Sequence, residues 1–254
     1  MRKSLHPSFW LPLVLMMTAL GLLWQWGAGR MPYLLPPLGA IRDTLIEDAG
    51  YYLSNALVTL QEALGGLVLG GLSAFVIGVL VSEFTVARRA IMPVAVVLNV
   101  TPLVAIAPAL VVAFGFGAAP KLIVTGLICF FPVLINTSVG LRAVPLPVLQ
   151  VYRTVHASRL ETLWHLRIPS ALPYLFAALR IVFPLSVVGA VVAELSAAGS
   201  AEGLGTAISL ASSMNRLAAV YASIAILALL GSLLLLAVTL LERRLLHWHE
   251  TQSA

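Results

Sequence analysis

Long apolar runs are the feature that most restricts how this chain can fold. Six of them occur, and each can cross the roughly 30 Å hydrocarbon core of a bilayer as a helix. A helix is favoured in lipid because it satisfies its backbone hydrogen bonds internally. The sequence therefore predicts an all-α polytopic membrane protein with about six transmembrane helices. The predicted spans are Phe9–Trp26, Ala56–Val81, Ile91–Phe114, Lys121–Val139, Leu172–Leu195 and Leu217–Leu241.

A polar segment, residues 149–169, separates the fourth and fifth runs. Ser158 and Glu161 have the spacing of a capping box, so a short helix is expected to begin there. A second short helix is expected just before it, over about Pro147–Val155. His156 falls at the junction, where helices often end on a residue in the left-handed conformation. The segment is therefore predicted to form two short helices joined by a tight turn.

The second short helix is expected to be amphipathic and to lie at the membrane surface, because apolar residues recur in it at helical spacing. Pro169 and Pro173 are expected to end it before the next span begins. Its apolar positions are Leu160, Leu163, Trp164 and Ile168.

The distribution of basic residues predicts the orientation. Six crossings would place both termini and residues 149–169 on one side of the membrane. Ten Lys and Arg residues would lie on that side and four on the other, so that side is predicted to be cytoplasmic. The ten are Arg2, Lys3, Arg88, Arg89, Arg142, Arg153, Arg159, Arg167, Arg243 and Arg244. The four are Arg30, Arg42, Lys121 and Arg216. Because these charges lie at span ends, the net charge of +5 does not indicate nucleic-acid binding.

The chain is expected to divide into residues 1–55, an N-terminal anchor span with an external loop, and a core of residues 56–254. The first span is expected to be retained, since no small-residue cleavage site follows it. The external loop is expected to carry a surface helix, Leu38–Ala49.

Prolines and glycines predict local features of two spans. Pro93, Pro102 and Pro108 are expected to kink or break the third span. Gly66 and Gly70 form a small-xxx-small pair on the second span, which allows close approach of another helix. That helix could belong to the same protomer or to a partner.

Polar side chains within the spans are costly in lipid, so they are candidates for the translocation path or for helix packing. Glu62 and Arg180 could pair if their spans pack at the right depth. Glu194 could gate the path or cap a helix, and the Asn side chains could form hydrogen bonds across helices. These candidates are Glu62, Asn99, Thr101, Asn136, Arg180 and Glu194.

The stretch Leu149–Arg180 resembles the EAA loop of bacterial ABC importer permeases. Gln150, Val151 and Tyr152 stand at the family's Glu-Ala-Ala positions, and His156 stands at its Gly position, so both signature residues are replaced. Other stretches are similar to the nitrate, sulfonate and taurine importer branch, which includes importers of pyrimidine and other heterocyclic vitamin precursors. These stretches are Thr101–Gly117, Phe130–Arg142, Glu194 with Gly203–Gly205, and Leu240–Trp248.

The resemblance implies a type I ABC importer permease with a cytoplasmic coupling helix in the bacterial inner membrane. Such a subunit works with a second copy of itself, two ABC ATPase subunits and an extracytoplasmic substrate-binding protein. ATP and Mg would then be held by the ATPase, and this chain would hold no cofactor or metal of its own. The cargo would be a small solute, either a sulfonate- or nitrate-like anion or a pyrimidine or other heterocyclic vitamin precursor.

The resemblance also assigns residues. The substrate-binding protein would dock on the loops Gly27–Asn55 and Ser196–Arg216. The ATPase-coupling residues would be Gln150, Tyr152, Arg153, His156, Ala157, Ser158, Arg159 and Glu161.

Two other functional classes remain open from the residues alone. The chain contains no phosphate-binding loop and no cluster with metal-ligand spacing, so it is not predicted to be an enzyme. An ion-coupled secondary transporter is the main alternative, with Glu62 and Glu194 as its coupling carboxylates. A membrane enzyme would need a convergent catalytic cluster, which the sequence does not show.

Overall fold

A computed structural model describes residues 7–197 and 202–246, and every regular element in these ranges is helical. This confirms the all-α prediction. Arg2, Lys3 and Trp248, used in the predictions above, lie outside the described residues. The α-helices are α1 Pro7–Arg30, α2 Leu38–Glu47, α3 Ala49–Glu83, α4 Thr85–Val100, α5 Leu103–Phe114, α6 Ala118–Gly140, α7 Leu146–Thr154, α8 Arg159–Thr162, α9 Ile168–Ser196, α10 Leu204–Ser213 and α11 Leu217–Leu245, with a π-helical turn Leu163–Arg167 between α8 and α9.

Helices α3 and α6 run parallel, and this determines the number of crossings. Lys121, near the start of α6, pairs with Glu62 of α3, and Arg142, just beyond the end of α6, donates to the carbonyl of Val81 near the end of α3. The chain between two parallel spans must return across the membrane, and only α4 and α5 lie between them. These helices bend by 97° at a short break, beside Pro102. With the five uninterrupted spans, this broken span gives the six crossings that the sequence predicts.

The remaining spans alternate in direction. Helix α9 runs antiparallel to α6, because Gly140 lies against Ala171 and Gly189 lies against Thr125. Helix α11 runs antiparallel to α9, because Val238 late in α11 packs with Phe176 early in α9, and Leu227 packs with Ala190. We call the surface that contains residues 141–167 the lower face, and the surface that contains residues 31–48 and 202–216 the upper face. The predicted surface helix, α2, lies at the upper face, and both described chain ends lie towards the lower face.

The core is a three-helix bundle of α3, α6 and α9. Small residues allow α3 and α6 to touch, since Gly66 and Gly70 lie against the backbone of Gly126. The small-xxx-small pair therefore packs within the protomer, which resolves the alternative that the sequence left open. Around this contact a cluster of buried apolar side chains fills the bundle, including Leu134, Val182 and the free Cys129.

Helix α1 lies outside this core. Most of its surface is exposed and apolar, as expected of a helix that faces lipid. Its upper end is held by Trp24, whose ring packs edge-on against Tyr221 with 5.2 Å between centroids. The Trp24 indole also donates to the carbonyl of Pro36 at 3.0 Å.

The expected break at Pro169 and Pro173 is wrong. A single helical rod runs through both prolines from Arg159 to Ser196. Pro169 lies two residues beyond the wide π turn Leu163–Arg167. The turn contains His165, whose carbonyl would clash with the ring of Pro169 in a regular α-helix. The short helix of the polar segment and the fifth span are therefore one continuous element.

Candidate functional site

The first candidate site is the elbow, residues 146–167, which projects from the lower face. Helix α7 ends in a Schellman motif: His156 has φ 54° and donates its N–H to the carbonyl of Arg153 at 3.1 Å. The Ala157 N–H donates to the carbonyl of Tyr152 at 3.0 Å. The predicted left-handed junction at His156 is confirmed, and it satisfies carbonyl groups that the end of a helix leaves without partners.

Helix α8 begins with the predicted capping box. The Ser158 hydroxyl accepts from the Glu161 N–H at 3.2 Å, and the Glu161 carboxylate accepts from the Ser158 N–H at 2.7 Å. One cap ends α7 and the next begins α8, so the backbone between them has little freedom. The two caps therefore restrict the angle between α7 and α8.

Arginine side chains fasten the elbow to the bundle. Arg167, at the end of the π turn, forms an ion pair with Glu83 at the end of α3. Arg142 donates to the carbonyl of Val81 at 2.7 Å. Partial burial and the neighbouring positive charges of Arg88 and Arg167 lower the pKa of the Arg142 guanidinium. Arg167 thus joins the elbow to the lower end of α3, while Arg142 joins the lower ends of α3 and α6 beside it.

The predicted apolar stripe of the second short helix is divided between two surfaces. Leu163 and Ile168 pack inwards against Leu141, whereas Leu160 and Trp164 are 68% and 64% exposed. Leu163 and Ile168 are five residues apart, the spacing that a π turn brings to one side. Leu160 and Trp164 are therefore exposed apolar side chains of the elbow, as are several side chains of α7. The α7 side chains are Leu146, Val148 and Val151.

A polar cavity of about 380 Å³ lies between the elbow and the end of α3. The predicted coupling residues Tyr152, Arg153, Ala157 and Arg159 line it, while Gln150 lies exposed on α7. The structure therefore gathers the predicted coupling residues on one projecting element.

The second candidate site is a buried polar cluster near the upper face. The Lys121 ammonium pairs with one oxygen of Glu62 at 2.7 Å, and it lies 3.4 Å from the carbonyl of Glu202. The other oxygen of Glu62 has no hydrogen-bond partner. Lys121 was counted among the charges at span ends. Because it is only 3% exposed, it is also a buried ion-pair partner.

Glu194 belongs to the same cluster. Its carboxylate accepts from the Thr59 hydroxyl at 2.7 Å and from the Gly205 N–H at the start of α10. Thr59 in turn accepts from the Leu204 N–H at 2.9 Å, and Asn55 accepts from the Gly203 N–H at 2.7 Å. Glu194 was considered as a gate or as a helix cap. The hydrogen bond from the Gly205 N–H shows that it caps α10. Helix α10 lies within the stretch Ser196–Arg216, which was expected to be a loop.

The pair Glu62–Arg180, which the sequence allowed if the two spans packed at the right depth, is not formed. Glu62 lies towards the upper face, and Arg180 lies in the lower half of α9, where it pairs with Glu242 of α11. The sequence did contain a sign of the true partner of Glu62. Lys121 lies at the start of a predicted span and would be at the depth of Glu62 if the two spans ran parallel.

The other intramembrane candidates do not converge. Asn136 donates to the carbonyl of Pro132 in its own helix at 2.8 Å, so the expected bond across helices is not made. Thr101 donates to the carbonyl of Val97 at 2.9 Å beside the break between α4 and α5. Asn99 is exposed on α4. Among the described residues there is also no group of acidic, His or Cys side chains that could hold a metal ion.

The sequence profile of a family described as binding-protein-dependent transport system inner membrane component matches residues 66–247. The chain is 32% identical to the riboflavin transport system permease protein RibX of Chloroflexus aurantiacus, over 95% of this chain and 91% of the relative. It is 33% identical to the formylaminopyrimidine transport permease protein ThiX of Halalkalibacterium halodurans, over 87% of this chain and 88% of the relative.

A third relative is the putative aliphatic sulfonates transport permease protein SsuC of Bacillus subtilis, 32% identical over 80% of this chain and 73% of the relative. Among solved structures, the inward-facing methionine ABC transporter MetNI is similar in fold, with a TM-score of 0.66. That match covers 77% of this chain and 96% of the other at 17% sequence identity.

Proposed function

This chain belongs to the family of binding-protein-dependent transport system inner membrane components, and we propose that its elbow couples it to a separate ATPase. The chain is the permease subunit of an ABC importer for a small solute. The observation that carries the coupling proposal is the elbow itself. It is doubly capped, is joined to the bundle by Arg167, and carries exposed apolar and arginine side chains.

The lower face is proposed to be cytoplasmic, where an ATPase with its ATP and Mg would be found. Basic side chains of the described residues gather there, as expected for the cytoplasmic side. They are Arg88, Arg89, Arg142, Arg153, Arg159, Arg167, Arg243 and Arg244. At the upper face the exposed basic residues are fewer: Arg30, Arg42 and Arg216.

Movement of the elbow is proposed to drive alternating access. Because one continuous helix runs from Arg159 to Ser196, a tilt imposed at the lower face moves its upper end as a lever does. That upper end carries Glu194, which caps α10 at the surface where a substrate-binding protein would dock. ATP-driven closure of the ATPases would in this way open the path towards the upper face.

A second copy of the chain is proposed to pack against α4 and α5. A helix broken inside a membrane leaves backbone groups that need protein or water partners. Helices α4 and α5 bend by 97°, and Val97, Val100 and Val104 beside the break are exposed in the single protomer. A partner copy would cover this surface and complete a path between two protomers.

The cargo is proposed to be a heterocyclic vitamin precursor, with a sulfonate-like anion as the second candidate. The names of two relatives at 32% and 33% identity refer to riboflavin and a formylaminopyrimidine. The name of the third refers to aliphatic sulfonates. Purifying the substrate-binding protein that accompanies this chain and screening it with compounds of both classes would decide between them.

The coupling proposal is tested by purifying the tagged chain in mild detergent and identifying the proteins that accompany it. We expect a subunit with a phosphate-binding loop. The double substitution Ser158→Glu and Arg159→Glu should release that subunit and abolish ATP-dependent uptake, because it removes the cap and reverses a charge on the elbow. Arg89→Glu, a reversal of an exposed charge on the lower face but outside the elbow, is the matched control and should leave both readouts unchanged.

Unchanged uptake in the double variant would contradict coupling through the elbow. Uptake that persists after ATP depletion would instead favour the ion-coupled secondary transporter. Glu62 and Glu194 give little support to that alternative, because Lys121 pairs with Glu62 and Glu194 caps α10, so both carboxylates have structural partners.

A further inference from the structure

The cluster near the upper face contains more buried negative charge than positive charge. Glu62, Lys121 and Glu194 are 8%, 3% and 0% exposed, and they are the buried charged residues of the described chain. Two carboxylates and one ammonium would leave a net negative charge inside the protein. Burying an uncompensated charge is costly, so a group in this situation tends to be neutralised.

The hydrogen bonds indicate where the neutralising group belongs. One oxygen of Glu62 accepts from Lys121, and the other is buried without a donor. Glu194 lies beside Glu62, because Thr59, which donates to Glu194 at 2.7 Å, is three residues from Glu62 on the same face of α3. Lys121, the partner of Glu62, also reaches the carbonyl of Glu202, next to the glycine that packs against the Glu194 carboxyl. Two ionised carboxylates have only acceptors to offer each other, whereas one protonated carboxyl supplies the missing donor. A single proton therefore neutralises the excess negative charge and supplies a hydrogen-bond donor to the unpaired oxygen of Glu62.

We propose that Glu62 and Glu194 hold one proton between them, and that this proton-bound cluster clasps the start of α10 to the bundle. The clasp consists of the hydrogen bonds from Gly203, Leu204 and Gly205 to side chains of α3 and α9. The inference does not depend on coupling to an ATPase. It makes Glu194 a positioning residue for the upper face.

The other helices packed against α9 leave this charge balance unchanged. Helix α3 contributes Glu62, and α6 contributes Lys121. Helix α5 contains no charged residue, and α10 contributes backbone N–H groups. The charged residues of α11 lie at its lower end, and Arg180 of α9 lies in the lower half of that helix.

Infrared spectroscopy of the full chain tests the shared proton directly. The chain is purified in a maltoside detergent, which has no carbonyl group, and spectra are compared in H₂O and D₂O at neutral pH. A protonated carboxyl absorbs above the amide band and shifts in D₂O. We expect this band in the natural chain, and we expect Glu62→Gln and Glu194→Gln each to remove it, because one carboxylate then balances Lys121.

Two further variants sharpen the spectroscopic result. Lys121→Met should strengthen the band, because both carboxyls must then be neutral. Glu47→Gln, which removes an exposed carboxylate at the end of α2, should leave it unchanged. Absence of the band from the natural chain, or its persistence in both Gln variants, would overturn the shared proton.

Cysteine labelling tests the clasp. Cys129 is the only cysteine and is buried, so Ala211→Cys on the buried side of α10 gives a site-specific probe. Adding Glu194→Ala should speed modification of residue 211 by about tenfold or more, since two hydrogen bonds to a charged or shared-proton group are lost. The isosteric Glu62→Gln should leave the rate low.

The reactivity of Cys129, measured in the same backgrounds without the probe cysteine, reports whether the bundle remains folded. Protected Cys129 together with an unchanged rate at residue 211 in the Glu194→Ala variant would overturn the clasp. If Cys129 itself becomes reactive in that variant, Glu194→Gln replaces it, and loss of the infrared band without faster labelling then supports the proposal.

Discussion

Replacing Gly70 with alanine tests the contact on which the bundle depends. A Cβ atom at residue 70 would lie 2.1 Å from the carbonyl oxygen of Gly126, whereas an unstrained contact needs about 3.5 Å. The obstructing atoms belong to the backbone of α6, so no side chain can rotate away. Gly70→Ala must therefore push α3 and α6 apart by more than 1 Å at this level.

The magnitude follows from two opposing terms. Overpacking a core costs about 1–3 kcal/mol, and a clash with backbone belongs at the upper end of that range. Alanine recovers about 1 kcal/mol through its higher helix propensity. A net loss of about 2 kcal/mol lowers the melting temperature of a chain of this size by about 4–8 °C. The Lys121–Glu62 ion pair, which joins the same two helices at 2.7 Å, should weaken as well.

Thermal unfolding followed with a thiol-reactive fluorophore measures this effect, because Cys129 is buried and is the only cysteine. Gly71→Ala is the matched control, since a Cβ at residue 71 would have no atom within 4 Å. It should melt at or slightly above the temperature of the natural chain. A Gly70→Ala variant that melts with its Gly71→Ala control would refute the close contact between α3 and α6.

Three further predictions concern the caps and turns. His156→Gly should stabilise the elbow by about 1 kcal/mol, because glycine adopts a positive φ without steric cost; slower proteolysis at the turn would show it, and faster cleavage would contradict it. Ser158→Ala removes half of the capping box, at a cost of about 1 kcal/mol, so the amides of α8 should exchange hydrogen about fivefold faster. Unchanged exchange would show that the cap contributes nothing there. Gly203→Ala places a Cβ 2.5 Å from the Glu194 carboxyl carbon at a φ of 115°. It should lower the melting temperature by about 4–8 °C, a loss of about 2 kcal/mol, while Gly117→Ala, with open space around its Cβ, should not.

Local patterns in the sequence determined much of this molecule. The apolar runs located the spans, because a bilayer imposes both their length and their helical conformation. Ser158 and Glu161 located the start of α8, since a capping box is formed by residues three positions apart. His156 marked the turn for a similar reason, and Pro102 marked the broken span. Each of these features depends on residues that are close along the chain.

Contacts between distant residues required the tertiary structure. Lys121 faces Glu62 only because α3 and α6 run parallel at the same depth, across 59 positions of sequence. Helix α10 has no cap in its own sequence and receives one from Glu194 of another helix. Whether Pro169 ends a helix depended on the wide turn that packs Leu163 against the bundle. Which buried charges pair, and which side chain caps a helix, depends on the depth and direction of each helix in the bundle. These are determined only when the helices pack.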